Sequence, residues 1–375
     1  MTQINTAEQV VAADLDHICD GLTVELAQLS GKRLLIVGGA GFLGHYLVQT
    51  AVHWNATRGA GGLAAIDIVV YDNYSRGVPL WLEALDGTAN LTTVTFDIRD
   101  PLPDELGHVD YIIHAASIAS PTYYRKYPIE TMDANVNGLR TLLEYALDEQ
   151  RAGRGLAGFL FYSTSEIYGD PPADQIPTPE TFRGNVSCTG PRACYDESKR
   201  YGETLCVNFA QQHGIPVTVA RPFNNYGPGL KVTDGRVISD FAADILAGRD
   251  VVMLSTGTPS RTFCYVADAV IGYYKILVRG RAGEAYNIGS ESPEISMAEL
   301  AARLVAVAGD LWGYRGSVVL GTSSDVDYLV DNPNRRCPVI AKARAELDYE
   351  PSVTLDDGLR RALIWYGANS AAEHS

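Results

Sequence analysis

Tyr195 and Lys199 are the residues whose types and spacing most directly suggest chemistry. They are four positions apart, so on a helix both side chains lie on one face. An ammonium beside a phenol lowers the pKa of the phenol, which would make Tyr195 a base for a hydroxyl group near neutral pH. Thr164 directly follows the apolar run 159–163, and its own hydroxyl could hold the reacting group in place. The alternative is an exposed tyrosine and lysine on a helix with no chemical role.

A second pattern is a glycine-rich turn between a predicted strand and a predicted helix. Gly38, Gly41 and Gly44 follow the apolar run 34–37 and lead into apolar residues at helical spacing. Glycines let the backbone approach a pyrophosphate at the positive end of a helix, and the last one lets helix and strand pack closely. The pattern therefore predicts a dinucleotide site, with a purely structural turn as the alternative.

The second predicted strand ends in a carboxylate, Asp72. At that position it can accept hydrogen bonds from the ribose hydroxyls of adenosine, whereas a 2′-phosphate would be repelled. We therefore expect NAD rather than NADP, although Arg76 nearby argues the other way, and a strand-end cap is the alternative role for Asp72. Ligands gather at the carboxyl ends of strands in doubly wound sheets. On that basis Asp97, Ile98, Ala115, Ala116 and Ser117 are also predicted to bind the cofactor, together with Asn73 beside Asp72 and with Phe42 and Leu43 of the glycine motif.

These residues need a fold that brings strand ends together. Short β-branched or aromatic runs alternate with helical or polar stretches, and this alternation is typical of a parallel sheet covered by helices on both faces. The fold class is therefore α/β, a doubly wound parallel sheet. Its predicted strands are 34–37, 66–71, 94–96, 111–114, 159–163 and 217–219.

The alternation loosens beyond Arg221, where we predict a smaller C-terminal lobe that binds substrate. This lobe should contain a helix over 297–308, a strand over 318–320 and a last helix over 355–366. The N-terminal residues carry apolar side chains at helical spacing and should form one or two helices. The predicted division is 1–30 for this extension, 31–222 for the dinucleotide-binding domain and 223–375 mainly for the substrate lobe.

Length and composition exclude several classes of protein. The 375 residues are 46% hydrophobic and carry a formal charge of −15, so they can bury a core and are poor partners for nucleic acid or anionic membranes. The sequence has no leader-like N-terminus and no apolar run of membrane-spanning length, which predicts a cytoplasmic protein. The six cysteines form no CxxC pair and do not cluster with histidines, so we expect reduced thiols and no metal site.

Together these motifs resemble the extended short-chain dehydrogenase/reductase family. The resemblance rests on the glycine loop, the stretches 163–169 and 221–228 and the Tyr195–Lys199 pair, and it covers roughly residues 32–368. It implies a Rossmann-type fold, a bound and recycled NAD, and a homodimer. Within the family, similarity to UDP-glucuronic acid decarboxylases is carried by 114–121, 184–186, 192–200 and 234–237.

Ser165 and Glu166 decide which reaction the resemblance implies, and both match positions implicated in decarboxylation. In related sugar-nucleotide 4,6-dehydratases the pair is Asp-Glu, whose acid protonates the departing C6 hydroxyl. A serine hydroxyl is too weak an acid for that step, so dehydration is disfavoured. A decarboxylase needs no such acid, because oxidation at C4 places a ketone β to the C6 carboxylate. The alternative role for Glu166 is a surface carboxylate at a strand end.

The family's Arg-x-Pro motif matches Arg336-Cys337-Pro338. This match implies that Arg336 lies near the sugar carboxylate, which a guanidinium can bind in a two-pronged way. A surface arginine is the alternative. Gly229 stands where the family commonly has arginine, and we expect this departure to loosen the nucleotide pocket.

The resemblance also implies a nucleotide-sugar site in the C-terminal lobe. The implied reaction converts UDP-glucuronic acid through a 4-keto intermediate to UDP-xylose, or releases UDP-4-keto-xylose. The alternatives are a 4-epimerase or 4,6-dehydratase acting on another nucleotide sugar, and an NAD-binding regulatory protein. The implied substrate-binding residues are Ser120, Tyr123, Asn224, Lys231, Arg236, Val237, Arg261, Tyr265 and Arg336.

Overall fold

The computed structural model describes residues 4–57, 62–323 and 330–370. Parts of the predicted N-terminal extension and C-terminal lobe, residues 1–3, 324–329 and 371–375, lie outside these ranges. The α-helices in the described ranges are α1 (Ala7–Gly21), α2 (Thr23–Leu29), α3 (Phe42–Thr57), α4 (Leu80–Glu83), α5 (Pro121–Lys126), α6 (Pro128–Arg151), α7 (Ala193–His213), α8 (Val237–Leu246), α9 (Val266–Arg279), α10 (Met297–Trp312), α11 (Ala341–Leu347) and α12 (Leu355–Asn369). The strands are β1 (Arg33–Val37), β2 (Asp67–Asp72), β3 (Leu91–Thr95), β4 (Tyr111–His114), β5 (Gly158–Tyr162), β6 (Val217–Pro222), β7 (Asn225–Tyr226), β8 (Val251–Met253), β9 (Ser260–Arg261), β10 (Cys264–Tyr265), β11 (Ala285–Ile288), β12 (Ile295–Ser296), β13 (Val318–Leu320) and β14 (Arg335–Arg336).

Seven strands form one parallel sheet in the order β11-β6-β5-β4-β1-β2-β3. The predicted α/β class and parallel sheet are thereby confirmed. Val37 of β1 lies opposite both Tyr71 of β2 and His114 of β4, so these three strands end at the same level. Because the strand order reverses between β1 and β4, the loops after them leave a crevice in which ligands of such sheets bind.

The chain after residue 222 returns to this sheet, which the predicted domain division did not anticipate. Strand β11 pairs with β6, and α9 packs on β5 and β6. Helix α9 is buried from Val266 to Leu277, since it is apolar on nearly all sides and lies between the sheet and the N-terminal helices. Part of the segment 223–375 therefore belongs to the sheet and its covering helix, while other residues of it, such as Asn224 and Arg236, line the cavity on the side predicted to bind substrate.

Three small sheets complete that side: β10-β7, β12-β9-β14 and β13-β8. Their register matters for the site, because β14 runs parallel to β9 and places Arg336 beside Arg261. The predicted helices over 297–308 and 355–366 appear as α10 and α12, and the predicted strand 318–320 appears as β13.

The N-terminal extension forms α1 and α2, as predicted, and it belongs to the main core. Its side chains Leu15, Ile18, Leu22 and Leu26 are buried with the core residues of the sheet. The fully buried Asp14 accepts hydrogen bonds from the hydroxyls of Tyr46 (2.5 Å) and Tyr265 (2.6 Å) and from the guanidinium of Arg361 (2.7 Å). One carboxylate therefore connects α1 to α3, β10 and α12.

None of the described helices is long and apolar enough to cross a lipid bilayer. The cytoplasmic location stays a prediction. All six cysteines are free thiols in the structure, as the sequence led us to expect.

We expect Asp14→Ala to lower the free energy of unfolding by about 3–5 kcal/mol, because it leaves two buried tyrosine hydroxyls unpaired and takes from Arg361 one of its two carboxylate partners. Urea denaturation followed by circular dichroism measures this change. The matched control is Asp16→Ala, two residues along the same helix, whose carboxylate is exposed and pairs with His53. Its loss should cost at most about 1 kcal/mol. Equal costs for the two variants would contradict a stabilising role for the Asp14 cluster.

Candidate active site

The glycine loop after β1 has the shape that a dinucleotide site requires. Gly38 has φ +86°, and a Cβ at this position would lie 2.4 Å from the backbone nitrogen of Ala116. A Cβ on Gly44 would lie 2.1 Å from the carbonyl oxygen of Gly39. Only glycine fits both positions, and the loop thereby leads directly into the N-terminus of α3 at Phe42. The backbone thus forms a cradle at the positive end of a helix, which fits a pyrophosphate.

Asp72 serves this loop in two ways. Its carboxylate accepts hydrogen bonds from the backbone N–H groups of Ala40 (2.9 Å) and Tyr74 (2.8 Å), so the strand-end cap that we considered is present. It also lines the cavity, where its remaining acceptor capacity is open to a ligand. Burial raises the pKa of Asp72, and the two backbone bonds oppose that shift. Arg76, which argued for NADP, donates a 2.6 Å hydrogen bond from Nη1 to Asp234, so its charge is partly neutralised within the protein.

One cavity of about 1890 Å³ extends from this loop across the strand ends to the small sheets. The residues predicted from the sequence lie in its wall with one exception. Those that line it are Gly38, Gly41, Phe42, Leu43, Gly44, Asp72, Asn73, Asp97, Ile98, Ala115, Ala116, Ser117, Ser120, Tyr123, Thr164, Ser165, Glu166, Tyr195, Lys199, Asn224, Lys231, Arg236, Val237, Arg261 and Arg336.

The exception is Tyr265, which was expected to contact the nucleotide. Its side chain is buried, does not line the cavity and donates its hydroxyl to Asp14. Tyr265 ends β10 with its ring directed toward α1, so its hydroxyl helps to hold the N-terminal extension in place. We therefore remove Tyr265 from the substrate-binding set.

Tyr195 and Lys199 lie on one face of α7, as their spacing predicts. Both are buried, and the Lys199 ammonium lies 5.8 Å from the centre of the Tyr195 ring. Lys199 Nζ donates a 2.8 Å hydrogen bond to the carbonyl oxygen of Tyr162, at the end of β5. Ser163 and Ser117 nearby each carry a buried hydroxyl without a hydrogen-bond partner among the described residues. These groups are available to a ligand bound across the strand ends.

Burial has the largest effect on the pKa values of this pair. Burial raises the pKa of Tyr195 to about 12, although a hydrogen bond with Thr164 opposes the shift. Burial also lowers the pKa of Lys199 to about 7. The lysine therefore does not turn Tyr195 into a phenolate by itself, because desolvation outweighs its charge in the protein without ligands.

Glu166 is the centre of a second group of charges. Its carboxylate Oε2 lies 2.5 Å from Nη2 of both Arg192 and Arg336. Burial alone would raise the pKa of Glu166, but these two guanidinium groups and that of Arg261 lower it to about 2. Glu166 is therefore ionised throughout the neutral range and serves as an anchor for arginines. Neither the surface role considered for Glu166 nor that considered for Arg336 is present.

Arg261 adds a positive charge that no carboxylate in the described part of the chain neutralises through a hydrogen bond. Its guanidinium donates to the carbonyl oxygens of Ser260, Pro333 and Asn334 and to the amide oxygen of Asn332. Burial, followed by the charge of Arg336, lowers the pKa of Arg261 to about 9. Three arginines thus surround Glu166, and the one further carboxylate paired with them in the described residues is the buried Asp196, 3.7 Å from Arg192. Burial and the charge of Glu166 raise the pKa of Asp196, so the arginines keep an excess of positive charge that suits an anion.

Two residues of this region were missed by the sequence analysis. Arg192 precedes α7 by one residue, in a stretch that was used only for its resemblance to the family. Tyr124 on α5 stacks on Tyr195, with ring centres 5.1 Å apart, and its buried hydroxyl has no hydrogen-bond partner among the described residues. The sequence could have indicated Arg192, because it stands one helical turn before Tyr195 and so belongs beside it.

Gly229 does not loosen the nucleotide end, contrary to our expectation. It has φ +89°, and a Cβ there would lie 2.6 Å from Cβ of His45. The loop therefore packs tightly on α3, and glycine is required for that approach. Nearby, Arg236 lines the cavity with a partly exposed guanidinium, whose Nε lies 3.0 Å from Asp234.

Comparison with known proteins agrees with this geometry. Residues 34–289, more than half of the chain, match the model of the NAD dependent epimerase/dehydratase family. The chain is 38% identical over 327 residues to UDP-glucuronic acid decarboxylase 3 of Arabidopsis thaliana, covering 87% of this chain and 86% of that protein. It is 35% identical to UDP-glucuronic acid decarboxylase 1 of Xenopus tropicalis over 343 residues, covering 91% and 73%.

A solved structure with the same architecture is DesIV, the dTDP-glucose 4,6-dehydratase of Streptomyces venezuelae, which contains NAD and TYD. Its TM-score is 0.75 at 28% identity, over 91% of this chain and 98% of that one. The glycine cradle, Asp72 and the tyrosine–lysine pair of this chain fit the cofactor that the family name states. With this fold, this cradle and these relatives, the chain belongs to the NAD-dependent epimerase/dehydratase family, within the extended short-chain dehydrogenases/reductases.

Proposed function

We propose that the protein decarboxylates UDP-glucuronic acid through a 4-keto intermediate to UDP-xylose. The observation that carries this proposal is the buried group of Arg192, Arg261 and Arg336 around Glu166, in the same cavity as Tyr195. A sugar acid brings a carboxylate next to the hydroxyl that is oxidised, and this end of the cavity has the excess positive charge to hold it. The names of the relatives support the same reaction.

In this proposal Tyr195 accepts the proton of the C4 hydroxyl, which Thr164 holds in place. The glycine loop and Asp72 would hold NAD, which would supply reversible hydride transfer at C4. Lys199, which donates a hydrogen bond to the end of β5, orients the ribose of the cofactor. Together with the positive charge of the nicotinamide ring, its ammonium stabilises the phenolate of Tyr195. The cofactor-binding residues are those of the glycine loop and the strand ends, with Asp72 at the ribose.

Loss of carbon dioxide then follows from the 4-ketone. The bond from C5 to the carboxylate breaks, its electron pair enters the ketone as an enolate, and C5 afterwards takes a proton. Arg336 and Arg192 position the carboxylate, while Glu166 keeps both guanidinium groups in place. Glu166 is ionised and Ser165 is a weak acid, so the pair is unsuited to protonate a departing hydroxyl. The chain therefore favours decarboxylation over dehydration.

The test is to incubate purified protein with UDP-glucuronic acid, with and without added NAD, and to follow the nucleotides by mass spectrometry. We expect a product that has lost the mass of carbon dioxide, UDP-xylose. A product that has also lost two hydrogens would be UDP-4-keto-xylose, which has escaped before hydride return. Conversion of a neutral nucleotide hexose while UDP-glucuronic acid survives would replace the proposal by an epimerase or a dehydratase. Tyr195→Phe is the inactive control, and it should retain NAD.

We expect Arg336→Ala to lower kcat/KM for UDP-glucuronic acid about a hundredfold, because it removes a buried guanidinium from both Glu166 and the substrate. Steady-state kinetics measure this loss. Arg335→Ala is the matched control, since the neighbouring arginine on β14 lies outside the cavity lining and pairs with Glu294. It should stay within about twofold of the wild type. Equal losses in both variants would show that the strand, rather than Arg336, is responsible.

We further propose a homodimer, as the family resemblance implies. Ile129 and Met132 on α6 and Tyr201 on the adjacent α7 are exposed, and an apolar face on paired helices suits a second copy of the chain. Sedimentation equilibrium at micromolar concentration should give twice the mass of the chain, and Ile129→Glu with Met132→Glu should reduce it toward the single mass. A single mass for the wild type would exclude the dimer.

A further inference from the structure

The loop between β2 and α4 reaches across the cavity to its nucleotide-sugar side. Residues 73–79 of this loop line the cavity next to Asp72, apart from Tyr74. Tyr74 and Gly77 adopt positive φ angles of +50° and +80°, so the loop makes a defined turn that presents Arg76. The neighbouring wall is formed by the start of α5 and, before α8, by Lys231 and residues 234–236.

Three contacts of Arg76 close this gap. Its Nη1 donates a 2.6 Å hydrogen bond to Oδ1 of Asp234. Its guanidinium lies 4.9 Å from the centre of the Tyr123 ring, within the range of a cation–π contact. Its carbonyl oxygen accepts a 2.9 Å hydrogen bond from Lys231 Nζ. Arg76 therefore connects the loop beside Asp72 to α5 and to the residues before α8.

Asp234 makes these contacts responsive to ligand. Its side chain is only 5% exposed, and it faces two cations, Arg76 at 2.6 Å and Arg236 at 3.0 Å. Ser120 fixes its backbone by a 2.8 Å hydrogen bond to the Asp234 carbonyl. A diphosphate that engages Arg236 would remove one of the two cations, and a buried carboxylate then depends on the other. Nucleotide binding should therefore strengthen the bond between Asp234 and Arg76.

We propose that Arg76 is a positioning residue that latches the loop over the bound ligands and so decides whether the 4-keto intermediate is reduced or escapes. This inference rests on the proposed function. Escape requires the cavity wall to open, whereas hydride return requires the intermediate to stay in place. An interaction that holds the wall closed acts mainly on dissociation rates, so its loss should change the ratio of products more than the first oxidation.

The test is Arg76→Ala with UDP-glucuronic acid and an excess of NAD. We expect the ratio of UDP-4-keto-xylose to UDP-xylose to rise about three- to tenfold, with one NADH formed for each keto product released. In parallel, the dissociation rate of bound NADH, followed by its fluorescence, should rise because the same loop adjoins the ribose-binding Asp72. Arg76→Lys keeps the charge and should restore part of both values. Asp234→Asn should produce the same shift, with no further increase in the double variant.

Arg303→Ala is the matched control. Arg303 is 39% exposed, as is Arg76, and it pairs with Asp356 at 2.8 Å between α10 and α12, away from the cavity lining. It should change neither readout. An unchanged product ratio together with an unchanged NADH dissociation rate in Arg76→Ala would overturn the latch. If wild-type protein leaves UDP-glucuronic acid intact, the proposed function fails, and the NADH dissociation rate alone then decides the latch.

Discussion

The buried carboxylate of Glu166 is the interaction on which the candidate site depends. It joins the end of β5 to the start of α7 through Arg192 and to β14 through Arg336. Each guanidinium is costly to bury, and the carboxylates that pair with the three arginines in the described residues are Glu166 and the buried Asp196. Burial and the charge of Glu166 raise the pKa of Asp196, so it offsets less positive charge than an exposed aspartate would. In a chain of formal charge −15, this cluster concentrates positive charge at one end of the cavity.

A second buried carboxylate, that of Asp14, holds the N-terminal extension against the rest of the protein. Asp14 is buried among two tyrosine hydroxyls and Arg361, and burial raises its pKa while these donors oppose the shift. The family match begins at residue 34, so α1 and α2 lie outside it, yet they bury apolar side chains in the same core as α3, α9 and α12. Tyr265 belongs to this cluster, which explains why a residue only four positions from Arg261 does not line the cavity.

The ground state of the reacting pair is set by desolvation. Tyr195 stays a neutral phenol and Lys199 loses its proton easily, because both are buried and Lys199 donates to a neutral carbonyl rather than to a carboxylate. The geometry of the pair is thus ready before ligand binds, whereas its charge state depends on what enters the cavity. At the other end of the cavity, the charge around Asp234 likewise depends on the ligand, because Asp234 lies between Arg76 and Arg236.

The sequence alone determined the class of the fold and most of the cavity wall. Hydrophobic runs, the glycine spacing and the Tyr195–Lys199 pair are local signals, since periodicity and backbone strain act within a few residues. The tertiary structure decided which charged groups, far apart in the sequence, form ion pairs. Glu166 and Arg336 are 170 positions apart, and no local pattern indicates that Arg192 joins them or that Arg76 reaches Asp234. Local patterns also do not indicate that β11 joins the central sheet or that the side chain of Tyr265 points toward Asp14. A charged side chain is buried, and meets the partners that offset the cost of its burial, only when distant segments pack together. The pKa values and the ion pairs therefore could not be predicted from the sequence.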